Sequence, residues 1–288
     1  FDDAPERAAA FAAAHGARAV PTFADLLAVP CDSALVFGRP VDMPALARPF
    51  LERGTPISIE KPAGARLAAV AALERLAAET GTPVAVPLVQ RIDGPGKALL
   101  ALAAMERFTA LSCRFIAGPP ERYRVNGCPW MLDPALSGGG AMLNLGVHFV
   151  DLALALFGAE ATTATGLSSS ALHGEAVEDH GVLTMATADG RIATIEAGYG
   201  FPDHPEKRDF TIAAIGTRSY ARFAAGTLSV VGREGSARSE AVSGDTDDYY
   251  RTYLAQTLAA FRAGVRPPTG LVEMRAAFSV LRRAGFAR

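Results

Sequence analysis

At 288 residues, half of them apolar, the chain carries enough hydrophobic side chain for a large core, and this length predicts two domains. Its 28 Lys and Arg against 30 Asp and Glu, a formal net charge of −2, leave no basic field, which argues against nucleic acid as a partner. Cys31, Cys113 and Cys128 lie far apart with no Cys-x-x-Cys pair, which argues against a disulfide framework or a zinc site and fits a reducing, cytoplasmic location.

In chain order, Phe1 reads as the last residue of a strand. An alanine-rich helix follows, with Asp3 as cap, Pro5 in the first turn, Glu6 completing a capping-box-like pair and Gly16 as the stop. Short apolar runs at 34–38, 56–60 and 84–87 alternate with helical stretches at 43–53 and 67–80, the pattern of βαβ units on a parallel sheet. The pattern changes after about Gln90. Strand-like runs at 111–116, 181–186, 192–198, 210–215, 219–223 and 227–231 are separated by turn signals such as Ala188-Asp189-Gly190 and predict an antiparallel sheet. Helices at 249–263 and 272–283 close the chain. The expected organisation is an incomplete dinucleotide-binding domain over 1–90 and a sheet domain over 91–288, whose last helix returns to the first domain. No long window reads as both uncharged and strongly apolar, and no basic segment precedes an apolar run at the N-terminus. Neither a membrane span nor a signal peptide is therefore expected.

The chemistry is placed in the stretch from Ser137 to Asp151. Gly138-Gly139-Gly140 feeds a helix that is apolar apart from Asn144, His148 and Asp151, which stack one turn apart along one face. A buried histidine is often satisfied by a neighbouring side chain; a triple glycine just upstream favours a ligand instead, because backbone without side chains lets one approach closely.

Glu60-Lys61-Pro62 at the end of one parallel strand, Gly38-Arg39-Pro40 at the end of the preceding one, and the triple glycine running through Asn144, His148 and Asp151 together resemble the Gfo/Idh/MocA oxidoreductases, over essentially the whole chain. The resemblance implies a Rossmann-type parallel sheet followed by an open, mainly antiparallel sheet with helices on one face. It implies an NAD(P)-dependent oxidoreductase of a sugar, cyclitol or related polyol. It places Lys61 beside the nicotinamide and the reacting hydroxyl, with His148 as proton acceptor and Asn144 orienting the substrate. Asp2, Gly38, Arg39, Pro40, Glu60 and Lys61 fall at cofactor-binding positions, and Arg91, Trp130, Asp133 and Asn144 at substrate-binding ones, with Tyr123 and Arg124 as further candidates. The open sheet implies a homo-oligomer.

Elementary chemistry agrees: oxidising an alcohol removes a proton from oxygen as hydride leaves carbon, a neutral histidine can take that proton, and an ammonium can polarise the oxygen. Two departures stand out. Asn144 replaces the family's aspartate, and an amide accepts no proton; this keeps open a second reading, a catalytically silent ligand-sensing or regulatory relative. The sequence also begins at the ribose-binding acid, without the first strand and glycine-rich turn that cradle a pyrophosphate. The expectation is a truncated form of a longer protein, with weak cofactor binding and a tendency to aggregate. Asp2 favours NAD over NADP, because a carboxylate repels a second phosphate. Met131 stands where the family has a basic residue, which argues against a phosphorylated or acidic substrate. Tyr249, Tyr250 and Tyr253 read as packing, and His173, His180 and His204 lack ligand spacing, so no metal is assigned.

Overall fold

The computed structural model describes residues 1–287. Its first part contains α1 (Pro5–His15), α2 (Phe23–Ala28), β1 (Ala34–Val36), α3 (Met43–Glu52), β2 (Ile57–Ile59), α4 (Leu67–Thr80) and β3 (Val84–Ala85). The three strands pair in parallel in the order β1-β2-β3. Ile57, Ser58 and Ile59 of the middle strand are all buried, as a parallel strand covered on both faces requires. Helix α3 turns Met43, Ala47, Phe50 and Leu51 inward, and α4 contributes Val70 and Leu73. Gly81, at φ 66°, closes α4 in the left-handed conformation that glycine adopts without strain.

Two details differ from expectation. Phe1 lies in no strand and packs against Phe23 with ring centroids 5.9 Å apart. Helix α1 begins after Ala4, which offers no side-chain cap, and it is the Asp2 carboxylate, not Asp3, that accepts the Ala4 N–H at 2.8 Å.

The second part opens with α5 (Gly94–Ala103), β4 (Phe108–Ala117), α6 (Glu121–Val125) and α7 (Pro134–Ser137). A wide, π-type turn over Met142–Gly146 then runs into α8 (Val147–Phe157). Seven strands follow: β5 (Ala161–Ser169), β6 (His180–Thr187), β7 (Ile192–Gly198), β8 (Arg208–Gly216), β9 (Ser219–Ala224), β10 (Thr227–Gly232) and β11 (Ala237–Ala241). With β4 they form one sheet in the order β11-β10-β9-β8-β4-β7-β6-β5. All neighbours are antiparallel except β4 and β7, which run parallel with Cys113 opposite Ile195. A parallel pair needs a long crossover, and here it carries α6 to α8 and the β5-β6 hairpin. Strands alternate, so Leu111, Cys113, Phe115, Ile195, Phe210, Ile212 and Phe223 share the inner face. Helix α8 covers that face through Phe149, whose ring lies 5.4 Å from Phe115 and 5.6 Å from Phe210.

The chain closes with α9 (Thr246–Ala263) and α10 (Leu271–Arg283). Helix α10 packs against both α4 and α8, and Thr269 just before it donates to the Val86 carbonyl at 2.6 Å. The last helix therefore packs against an element of the first part.

With Asp151 as its one charged residue, Pro134–Phe157 is apolar enough to cross a membrane by length and composition, at a mean hydropathy of 1.6, but its most apolar window is 78% buried inside the protein. It is the core helix of the second part.

The triple glycine also differs from expectation. It faces protein, not a ligand: a Cβ on Gly138 would lie 2.6 Å from the Ala65 carbonyl oxygen, one on Gly139 2.7 Å from that of Phe286, and one on Gly140 2.3 Å from that of Glu178. Close backbone approach is indeed what the glycines permit. The Glu178 carboxylate then accepts the N–H groups of Gly140 at 2.9 Å and Met142 at 3.0 Å, satisfying donors at the start of the helical run and placing negative charge where the helix dipole favours it. Gly138→Ala combines a φ of 87° with this clash and is expected to destabilise by about 3 kcal/mol. Gly158→Ala, at φ 58° in open space, is expected to cost only about 1 kcal/mol. Urea unfolding of the two variants checks the difference.

Candidate active site

Lys61 follows the end of β2, and Asn144 sits at the centre of the wide turn before α8. The two meet across the joint between the sheets: Lys61 Nζ donates to the Asn144 backbone carbonyl at 2.7 Å and to Oδ1 at 2.5 Å. The Asn144 Nδ2 donates in turn to the hydroxyls of Tyr123, at 2.7 Å, and Tyr199, at 3.0 Å. His148 lies one turn further on, buried, and its Nδ1 has no hydrogen-bond partner among the described residues. All three residues line one cleft of about 660 Å³ that Gln90, Arg122 and Tyr250 also border.

Burial and the nearby Lys61 ammonium both disfavour an imidazolium, so His148 is held well below its ordinary value and stays neutral. Desolvation also pushes Lys61 down, with Arg122 adding to the effect and Glu60 opposing it. Glu60 is pushed up by burial against the pull of Lys61; its carboxylate accepts the Lys61 N–H and the Tyr250 hydroxyl. A desolvated ammonium beside a neutral imidazole can polarise an oxygen and accept its proton in one place.

The model described as "Oxidoreductase family, NAD-binding Rossmann fold" matches residues 1–88, and that of the GFO/IDH/MocA C-terminal domain matches residues 97–238. The chain belongs to the Gfo/Idh/MocA oxidoreductase family. No curated protein matches it by sequence. Among solved structures it is similar to UDP-N-acetylglucosamine 3-dehydrogenase GnnA from Acidithiobacillus ferrooxidans, with 22% identity, 100% of this chain and 88% of that one covered, and a TM-score of 0.84. It is also similar to levoglucosan dehydrogenase in complex with NADH and levoglucosan, with 15% identity, coverage of 98% and 86%, and a TM-score of 0.84. A third is an inositol dehydrogenase homolog complexed with NAD+ from Azotobacter vinelandii, with 17% identity, coverage of 98% and 85%, and a TM-score of 0.81. At these identities the likeness is one of fold.

The family's cofactor is a nicotinamide dinucleotide, and open α/β sheets bind such ligands at the carboxyl ends of their strands. In this Gfo/Idh/MocA chain those ends present Gly38 and Arg39, both exposed, after β1, and Glu60 and Lys61 after β2. Gln90 Oε1 and His148 Nδ1, two buried polar atoms without partners among the described residues, belong to residues lining the adjoining cleft. These groups fit the nicotinamide end of the cofactor. Pro40 is buried behind them, and Arg39 bonds Asp42 at 2.5 Å. Asp2 is engaged locally, by the Ala4 N–H and by Arg7 at 3.4 Å.

The expected substrate residues separate. Asn144 and Tyr123 are at the centre of the site. Arg91 is not: its guanidinium forks onto the buried carboxylate of Asp151, with Nε to Oδ2 at 2.7 Å and a second bond from Nη2 to Oδ1. Its neighbour Gln90 reaches the cleft instead. Arg124 is taken by Glu121 and Glu175, at 3.2 and 2.8 Å, while Arg122 lines the cleft. Trp130, Met131 and Asp133 lie outside its lining; Asp133 accepts the Ala135 N–H at 2.8 Å to start α7. Tyr249 and Tyr253 are buried packing, whereas Tyr250 and His204 face the cleft. Tyr199, which follows Gly198 at the end of β7, carried no sequence signal beyond its flanking glycines.

Arg91→Met leaves Asp151 buried and unpaired and is expected to destabilise by about 3–5 kcal/mol at neutral pH, with Asp151→Asn added to it recovering part of the loss. Burial pushes Asp151 from 3.8 up to about 6 despite Arg91. Between about pH 4 and pH 6 the folded chain therefore binds more protons than the unfolded chain, so this group's contribution to stability falls as pH rises through that window. Denaturant unfolding across the window, compared with Asp151→Asn, should show the falling component only in the wild type.

Proposed function

We propose that this chain is an NAD(P)-dependent dehydrogenase that moves a hydride between a nicotinamide and a hydroxyl-bearing carbon of a sugar, cyclitol or related polyol. The observation that carries the reading is the meeting of Lys61, Asn144 and His148 at one cleft. The nicotinamide, when bound, supplies the hydride acceptor. The chain's own groups handle the oxygen and its proton. Lys61 holds an ammonium against the substrate oxygen and favours its developing charge. His148, neutral at physiological pH, takes the hydroxyl proton. Asn144 fixes Lys61 through two bonds and accepts no proton itself. NAD is favoured over NADP by the Asp2 carboxylate.

One observation favours the second reading, a catalytically silent ligand-sensing relative: an amide stands at position 144 where the family has a carboxylate. The two separate on NADH formation, followed by absorbance, with a panel of sugars and inositols. His148→Ala is expected to lower kcat by about 10²–10⁴ while NAD binding persists. Because His148 is held well below 6.5, it stays neutral on acidification, and the acid limb of kcat/KM should lie below the range of an ordinary histidine. Tight NAD binding with no turnover on any substrate would select the silent relative.

The reading includes a homo-oligomer formed through the open sheet. On its outer face Ile192, Ala110, Ile215, Tyr220 and Val231 stand opposite one another across five adjacent strands, and the four large side chains are 40–48% exposed. Such a contiguous apolar row suits a self-complementary interface. Ile215→Lys is expected to shift the oligomer to monomer in light scattering, with the circular dichroism spectrum unchanged.

A further inference from the structure

We propose that the rim of the cleft at the carboxyl end of β4 is a phosphoryl subsite, so that the substrate is a sugar bearing a phosphate or diphosphate; this rests on the dehydrogenase reading above. Strand β4 ends at Ala117, which stands opposite Arg208, the first residue of β8. At the next position a Cβ on Gly118 would lie 3.5 Å from Arg122 Nη1 and 3.9 Å from the Lys207 carbonyl oxygen. Arg122 from α6 and the consecutive Lys207 and Arg208 at the start of β8 thus come to one strand end, and all three line the cleft.

What distinguishes them is the lack of a carboxylate partner. Neighbouring arginines are neutralised: Arg114 by Glu196 at 2.6 Å and Asp209 at 2.8 Å, and Arg124 by Glu175 and Glu121. Among the described residues Arg122, Lys207 and Arg208 have no carboxylate within 4.0 Å. Neutral groups position the two guanidinium groups instead. Arg122 lies over the rings of Tyr123 and Tyr199, at 4.9 and 5.6 Å, and donates to the Tyr123 hydroxyl at 3.0 Å. Arg208 lies over Phe115 at 5.5 Å and donates to Thr246 Oγ1 at 2.8 Å. Their orientation is fixed while their charge is left uncancelled.

Like charges held together without a counter-ion repel, and an anion relieves that repulsion. Two carboxylates also line the cleft, and Glu121 is committed to Arg124, which leaves Asp203. Leaving aside Lys61, which Asn144 and Glu60 engage, three cations against one free carboxylate leave an excess of about two charges, the charge of a phosphate monoester near neutrality. A carboxylate ligand would cancel only half of it. Guanidinium forks also match phosphoryl oxygens in geometry, whereas a neutral polyol gains little from uncancelled charge. Met131, whose place in the sequence argued against an anionic substrate, lies outside the lining of the cleft; the charge arrives from α6 and from the start of β8.

Isothermal titration of the full chain, with and without NAD, using glucose, glucose 1-phosphate, glucose 6-phosphate, UDP-glucose and glucuronate, tests the subsite independently of turnover. At least one phosphorylated sugar is expected to bind about tenfold or more tightly than glucose. Lys207→Gln and Arg208→Gln are each expected to lower that preference by about tenfold, without loss of NAD binding. Preference for a monophosphate or for UDP-glucose identifies which phosphoryl group is read. Equal binding of phosphorylated and free sugars, a preference unmoved by both variants, or glucuronate binding as tightly as any phosphorylated sugar overturns the subsite. Charge-dependent phosphosugar binding without NADH formation upholds the subsite while removing the dehydrogenase; NADH formation with no phosphoryl preference does the reverse.

Discussion

The bond from Lys61 to Asn144 is the constraint on which the site depends, because it joins two sheets built on different principles. Lys61 follows a parallel strand buried on both faces, and Asn144 sits in a turn resting on the inner face of a mixed sheet. Neither part holds the lysine alone. A desolvated ammonium needs acceptors, and the wide turn supplies two at one point, a backbone carbonyl and an amide oxygen. A buried aspartate in place of Asn144 would pair with Lys61 and hold its proton more firmly. With an amide there, the carboxylate beside Lys61 is Glu60, and the same ammonium keeps His148 neutral.

That turn is stiffened from behind. Three glycines let Ala65, Phe286 and Glu178 close on the backbone, and the Glu178 carboxylate takes two N–H groups where the helical run begins. Beneath His148, Arg91 and Asp151 lock α8 to the short helical turn after β3. Helix α10, wedged against α4 and α8, ties both sheets to one core. Lys61, Asn144 and His148 therefore stand on a floor held at both ends, which is what positioning to a fraction of an ångström demands.

Much of this was legible in the sequence. Apolar runs of strand length separated by helical periods marked β1 to β3, and alternation marked most of the second sheet. Strand β5 and strand β11 escaped because they are edges: Ala-Thr-Thr-Ala-Thr-Gly-Leu-Ser-Ser and Ala-Arg-Ser-Glu-Ala lie largely in solvent and carry no buried alternation. The parallel pairing of β4 with β7 is a long-range choice that no local pattern records. At the site, Asn144 and His148 stood out as polar residues in an apolar helix, and Lys61 through the Glu60-Lys61-Pro62 motif at a strand end. Gln90 and Arg122 were missed by one and two positions in favour of Arg91 and Arg124, since composition cannot show which of two neighbours points inward. The triple glycine was legible as a close approach, but not what approaches.

The arginines show why that last step needs coordinates. Arg91, Arg114, Arg122 and Arg124 are alike as letters, yet three meet carboxylates and one meets two rings and a hydroxyl. A paired arginine is part of the scaffold, its charge cancelled and its geometry fixed by the partner. One held by neutral groups at a cleft keeps its field for whatever enters. Lys61, Asn144 and His148, the groups proposed for the chemistry, occupy the joint between the sheets, where both parts must agree and little can change without loss. The unpaired cations occupy the short helix α6 and the start of β8, where side chains can be exchanged without disturbing that joint. Recognition placed there can vary while the chemistry stays fixed, and on the subsite proposed here it is the charge at that rim that would separate a phosphorylated sugar from a neutral one.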